Sequence, residues 1–142
     1  MKSQKIRRKG SYNYIRELVE EELNLAEIYL IKLLYAVYQK QKMQAVLHFR
    51  ESFNLYQKLQ TLIDKKFPED ELLVNRVTFG SGFFNIVLHI LPQNSLMSFL
   101  KLFGYAGESV LGENYLNKCA SMNNIRSNYA ALLLAMYHSS LT

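Results

Sequence analysis

Apolar residues recur at alternating steps of four and three along most of this chain, and that spacing commits it to helices. Val19, Leu23, Ala26, Leu30, Leu33 and Val37 follow it. So do Val46, Phe49, Phe53, Tyr56 and Ile63, and then Leu73, Val77, Gly80, Phe84, Val87 and Leu91. Side chains three and four apart share one face of an α-helix, so each set defines one buried stripe. No stretch alternates apolar and polar residues at period two, so no sheet is expected.

Breaks in the pattern divide it into about six helices. The first is predicted from Tyr12 to Lys40, capped by Ser11 or Asn13, with Leu18, Leu25, Tyr29 and Leu34 widening its buried face and Glu20, Asn24 and Glu27 on the opposite side. The second spans about Lys42–Lys66 and stops at Pro68; the third begins near Glu69-Asp70-Glu71, where acidic groups complement the helix dipole. Pro92 ends the third. A short fourth is expected over 95–103 with Gly104 as its stop, and Gly107 marks the next turn. The fifth and sixth are expected at about Glu108–Met122 and Ile125–Ser140. Short links force neighbours to pack antiparallel. The predicted fold is therefore all-α, built of antiparallel helix hairpins, with residues 1–10 as a basic mobile lead-in and 11–142 as one helical domain.

Charge limits the functions available. Lys2, Lys5, Arg7, Arg8 and Lys9 sit ahead of Gly10, and the other 12 basic residues balance the 12 acidic ones. The folded part is neutral, so no specific nucleic-acid partner is expected. The single cysteine, Cys119, excludes an intrachain disulfide and suits a reducing, cytoplasmic setting. The uncharged stretch Val77–Leu100 is interrupted by Gly80, Gly82, Asn85, His89, Pro92 and Asn94. Its apolar run is too short for a bilayer, which needs about 20 residues.

No feature announces chemistry. Gly80-x-Gly82 lacks the preceding strand and the GK[ST] of a nucleotide loop, and reads as small residues that let helices touch. His48, His89 and His138 lack the spacing that places two ligands on one helix face. The clusters Glu20–Glu22 and Glu69–Glu71 lie at helix surfaces or starts. No enzyme, cofactor or metal site is expected.

Three segments carry a family resemblance: Gly80-Ser81-Gly82-Phe83-Phe84-Asn85 through Leu91-Pro92; Leu100-Lys101-Leu102-Phe103-Gly104-Tyr105-Ala106-Gly107; and Asn124-Ile125-Arg126 leading to Ala130–Leu134 and Tyr137-His138. Together they resemble the tetratricopeptide repeat protein 39 family, which includes the inclusion-body-clearance proteins. Upstream, Ala26-Glu27, Met43 and Arg50–Tyr56 are similar to the family's long first hairpin, and Lys5–Ser11 to the linker before it. Leu111, Gly112 and Tyr115 match the leucine-glycine-x-x-tyrosine core of a first repeat helix.

The resemblance implies a TPR-like α-solenoid segment of a longer array. It implies a non-catalytic scaffold that holds other proteins, in the handling of misfolded protein or lipid-associated cargo. Polar-tipped Tyr29, Tyr35 and Tyr38, with His48 and Arg50, are the partner contacts singled out for test. A rival reading uses the basic tail and the uncharged 77–100 region to bind a membrane or lipid-droplet surface. A stack that stops at its sixth helix is also expected to leave an apolar face prone to self-association.

Overall fold

The computed structural model describes the backbone of residues 2–90, 109–123 and 125–140, and the side chains of 11–86, 110–123 and 126–139. It contains five α-helices and no strand among the described residues: α1 (Lys2–Tyr38), α2 (Lys42–Lys66), α3 (Glu71–Ile90), α4 (Ser109–Ala120) and α5 (Ile125–Ser140). The helix expected over 95–103, with Pro92, Gly104 and Gly107, lies outside the described residues.

The helices pack in a solenoid-like arrangement with α3 as the spine, in contact with each of the other four. Short turns make α2 antiparallel to both α1 and α3. Asn75 of α3 meets Cys119 of α4, while Gly82 lies beside Leu116 and Gly112 beside Asn85, so α4 also runs antiparallel to α3. Consequently α1, α3 and α5 point the same way, and α2 and α4 oppose them.

Helix α1 starts at Lys2, not near Tyr12, so neither Ser11 nor Asn13 caps it and the basic residues continue the helix. Long-chained Lys, Arg and Gln are good helix formers, and no proline interrupts them. The C-terminus also departs from the predicted stripe. Ala36, not Val37, is the last buried position: Ala36 is 2% exposed and Val37 39%. The cause is the turn. Gln41 N–H donates to Ala36 O at 2.9 Å and Lys40 N–H to Val37 O at 3.1 Å, with Lys40 at φ 60°. This is the Schellman closure, made here with a lysine in the left-handed region where glycine is usual.

The entry to α3 is more conventional. Asp70 Oδ1 accepts from Leu73 N–H at 3.2 Å, which caps the helix three residues in. Arg16 of α1 donates through Nε to Asp70 Oδ2 at 2.7 Å and also pairs with Glu20. Burial pulls the Asp70 carboxyl upward, but hydrogen bonds from Arg16 and from backbone N–H groups outweigh it, and the net shift is downward.

Two clusters form the core. The larger joins α1, α2 and α3 through Leu23, Ala26, Phe49, Tyr56, Leu59, Ile63, Leu73, Val77 and Phe84. At its centre Phe84 meets Phe49 edge-on at 5.1 Å, Phe53 at 5.8 Å and Tyr56 at 5.8 Å. A side chain on Gly80 would overlap the Tyr56 ring, so the glycine is what lets α2 bring Tyr56 inward. The smaller cluster joins Ile86 to Leu116, Cys119, Ala130, Leu134 and Tyr137.

Candidate functional site

Helix α1 is the place to look for a docking surface, because α2 and α3 cover so little of it. Val19, Leu23, Ala26, Leu30, Leu33 and Ala36 form one narrow buried stripe. Leu18, Leu25 and Leu34, expected to widen that stripe, are exposed instead. Ile28, Ile31, Tyr35 and Tyr38 are exposed too, Ile31 by 66% and Tyr38 by 81%. A single exposed leucine needs no explanation, but this many on one helix form an apolar surface of the kind that partners cover.

The five singled-out residues do not form one cluster. Tyr29 and His48 come together across the α1–α2 hairpin, ring centroids 6.1 Å apart, and Lys32 Nζ stands 5.6 Å from the Tyr29 ring. Tyr35 and His48 share a surface groove of about 430 Å³ with Ile31, Lys32, Gln41 and Gln44. Tyr38 is exposed one turn beyond Tyr35. Arg50 is exposed two residues from His48 on α2, hence on nearly the opposite side of that helix.

Charged side chains tie α1 to α3 and α5 one turn before Ile31 and Leu34, on the same side of the helix. Glu27 accepts from Arg76 Nε at 3.2 Å and from Arg126 Nη2 at 2.8 Å, and Arg76 Nη2 also donates to Asn24 Oδ1 at 2.7 Å. The face assigned from sequence to the opposite side of α1 is thus a seam holding three parallel helices. Its partners lie 49 and 99 residues from Glu27, beyond the reach of any local pattern.

Among the motif residues, Gly82 and Gly112 lie where helices pack closely. A Cβ on Gly82 would stand 2.8 Å from Leu116 side-chain atoms, and one on Gly112 would stand 2.8 Å from the Asn85 Cβ. These contacts are closer than carbon atoms tolerate, so both glycines set the α3–α4 approach. Asn85 Nδ2 donates to Ser81 O at 2.8 Å, one turn back on α3. Leu111 and Tyr115 face a cleft between α2 and α4. Sequence reading did not anticipate that cleft, since it depends on the spacing of two helices far apart in the chain.

The arrangement offers surfaces more than reactive groups. Cys119 is buried, and burial pushes its thiol up to about 11. His138 is exposed, with Nε2 3.4 Å from Glu113 Oε1. Among the described residues no three His, Cys, Asp or Glu side chains group as metal ligands would. None of the described helices is long and apolar enough to cross a membrane. Within the uncharged stretch, Val77, Phe84 and Ile86 are fully buried and unavailable to a lipid surface.

No solved structure matches the chain. The family model described as Iml2/Tetratricopeptide repeat protein 39 matches residues 1–142, basic segment included. With its helical hairpins, glycine-spaced packing and repeat-helix motif, the chain belongs to the Iml2/tetratricopeptide repeat protein 39 family.

Proposed function

We propose that this chain is a non-catalytic adaptor that holds another protein against the exposed flank of α1 and the start of α2. The observation that carries the reading is the apolar surface of α1, where Ile28, Ile31, Leu34, Tyr35 and Tyr38 are all exposed. Lys32, Gln44 and His48 rim that surface with polar groups, and a polar rim around an apolar patch is the anatomy of a protein interface. Helical repeats bind by such surfaces and need no reactive side chains. Family membership agrees with a scaffold role. The cargo we assign, misfolded or lipid-associated protein, would present apolar segments suited to this flank.

The test is affinity capture from cytosol by the tagged chain and by an Ile31→Ser/Tyr35→Ser variant, with mass spectrometry of what is retained. Both positions are exposed, so folding is expected to be unchanged by circular dichroism. A small set of near-stoichiometric partners, lost in the variant, is the expected result. Equal recovery by both proteins, or recovery of only general chaperones or the chain itself, would remove the α1 flank as the docking surface.

A further inference from the structure

Helix α1 carries two stripes of the same period. Val19, Leu23, Ala26, Leu30 and Leu33 step by four and three, and all are buried in the larger core cluster. Leu18, Glu21, Leu25, Ile28, Lys32 and Tyr35 also alternate steps of three and four without a break, and all six are exposed. Such an uninterrupted repeat is the seam of a coiled coil, in which each side chain seats among four of a facing helix. At about 1.5 Å per residue, this open seam runs for about 26 Å.

The order of residues along the seam decides what can face it. Four of the six are apolar. The two charges are Glu21 toward one end and Lys32 toward the other. Neither forms an ion pair with a described residue, and Lys32 Nζ stands over the Tyr29 ring of its own helix. Reversed onto itself about the level of Ala26 and Glu27, the stripe matches at every position. Leu18 faces Tyr35, Glu21 faces Lys32 and Leu25 faces Ile28, and two-fold symmetry makes each pair twice. A parallel arrangement would set Glu21 on Glu21 and Lys32 on Lys32, and like charges across a seam exclude an orientation.

We infer that α1 pairs antiparallel with α1 of a second copy of this chain, through the stripe from Leu18 to Tyr35. Six side chains a side make a contact smaller than the roughly 1,200–2,000 Å² of a standard stable interface, so the dimer is reversible and depends on concentration. Its consequence for function rests on the adaptor reading. Ile28, Lys32 and Tyr35 belong both to this stripe and to the docking flank, so a partner and a second copy exclude each other. Self-pairing then regulates access to the flank.

The experiment is sedimentation velocity of the full chain over a range of concentrations, with Glu21→Lys, Lys32→Glu and an equal mixture of the two variants. Both positions are exposed, so circular dichroism is expected to be unchanged. The unaltered chain is expected to show a reversible monomer–dimer equilibrium. Each variant sets like charges against each other in both symmetry-related pairs and should weaken the dimer by about tenfold. Mixing the two variants restores opposite charges in both pairs and should restore the dimer. A chain that stays monomeric, self-association indifferent to either variant, or a mixture no better than its components would overturn the antiparallel pairing.

Glu21→Lys alone, on resin loaded densely enough for the unaltered chain to dimerise, is expected to retain more partner from cytosol than that chain does. Equal retention would overturn the competition. A monomeric chain whose partners are lost only with Ile31→Ser/Tyr35→Ser would leave the adaptor reading standing while the self-pairing fell. A dimer that obeys the charge exchange yet captures no partner would do the reverse.

Discussion

The two halves of this molecule meet at α3 and are held by opposite means. On the α1–α2 side, large side chains fill the space between helices: Phe49, Tyr56 and Phe84 interlock, with Leu59 and Ile63 fully buried around them. On the α4–α5 side, missing side chains do the work. Gly82 and Gly112 let α3 and α4 approach backbone to side chain, and small polar links complete the contact. Asn75 Nδ2 lies 3.3 Å from Cys119 Sγ, and Ser127 Oγ donates to Cys119 O at 2.7 Å. One half is therefore sensitive to losing volume and the other to gaining it.

The largest effect is expected where volume is lost. Phe84→Ala should destabilise the chain by about 3–5 kcal/mol in urea unfolding, since Phe49, Phe53, Tyr56 and Phe83 lose their common partner. A value near that of an exposed site would contradict the interlocked core. Next comes the seam that joins the halves. Glu27→Ala takes from the Arg76 and Arg126 guanidiniums the carboxylate they share and is expected to cost about 1–3 kcal/mol, because hydrogen bonds to a charged acceptor are lost at a partly buried seam. If Glu27→Ala together with Arg126→Ala cost no less than the sum of the two single changes, the pairing would be energetically idle.

The sharpest contrast is one of sign. Gly→Ala inside an ordinary helix stabilises by up to about 1 kcal/mol through propensity. Gly112→Ala is expected instead to destabilise by about 1–3 kcal/mol, because the new methyl meets the Asn85 Cβ and Ile86. A stabilised variant would show that α4 stands farther from α3 than these contacts require.

A smaller effect is tied to pH. The Asp70 carboxyl is held below its ordinary value, so the folded state favours its ionised form. Its contribution is present at neutral pH and is lost as pH falls below about 4, through the lowered folded value. Asp70→Asn, which keeps a capping oxygen, should reduce stability at pH 7 and flatten the decline between pH 4 and 2. An unchanged acid limb would remove the Arg16–Asp70 pair from the account. The smallest change is Lys40→Gly, which relieves a left-handed lysine and should raise stability by less than about 1 kcal/mol.

The two halves were not equally legible in the sequence. The stripe from Val19 to Leu33, the stop at Pro68 and the acidic start of α3 are local signals, and each is set by helix geometry within a few residues. The last buried position of α1 differs from the expected one by one residue, and its end from Lys40 by two, because its Schellman turn uses Lys40, which carries none of the glycine signature. The exposure of Leu18, Leu25 and Leu34 was not legible either, since an apolar residue states a preference and not the presence of a neighbour. The Glu27–Arg76–Arg126 seam and the cleft between α2 and α4 arise only when distant helices come together. What the sequence showed best was the face each helix buries; what it hid was the face each helix leaves open, and the proposed function rests on those.

The most direct test places a photo-crosslinking phenylalanine analogue at position 35 of α1 and, separately, at exposed position 50 on the far side of α2. Each protein is then irradiated in cytosol. Strong, discrete adducts from position 35 and few from position 50 are the result this account predicts. Adducts of equal yield and identity from both positions, or discrete adducts from position 50 alone, would contradict a docking surface on the open flank of α1.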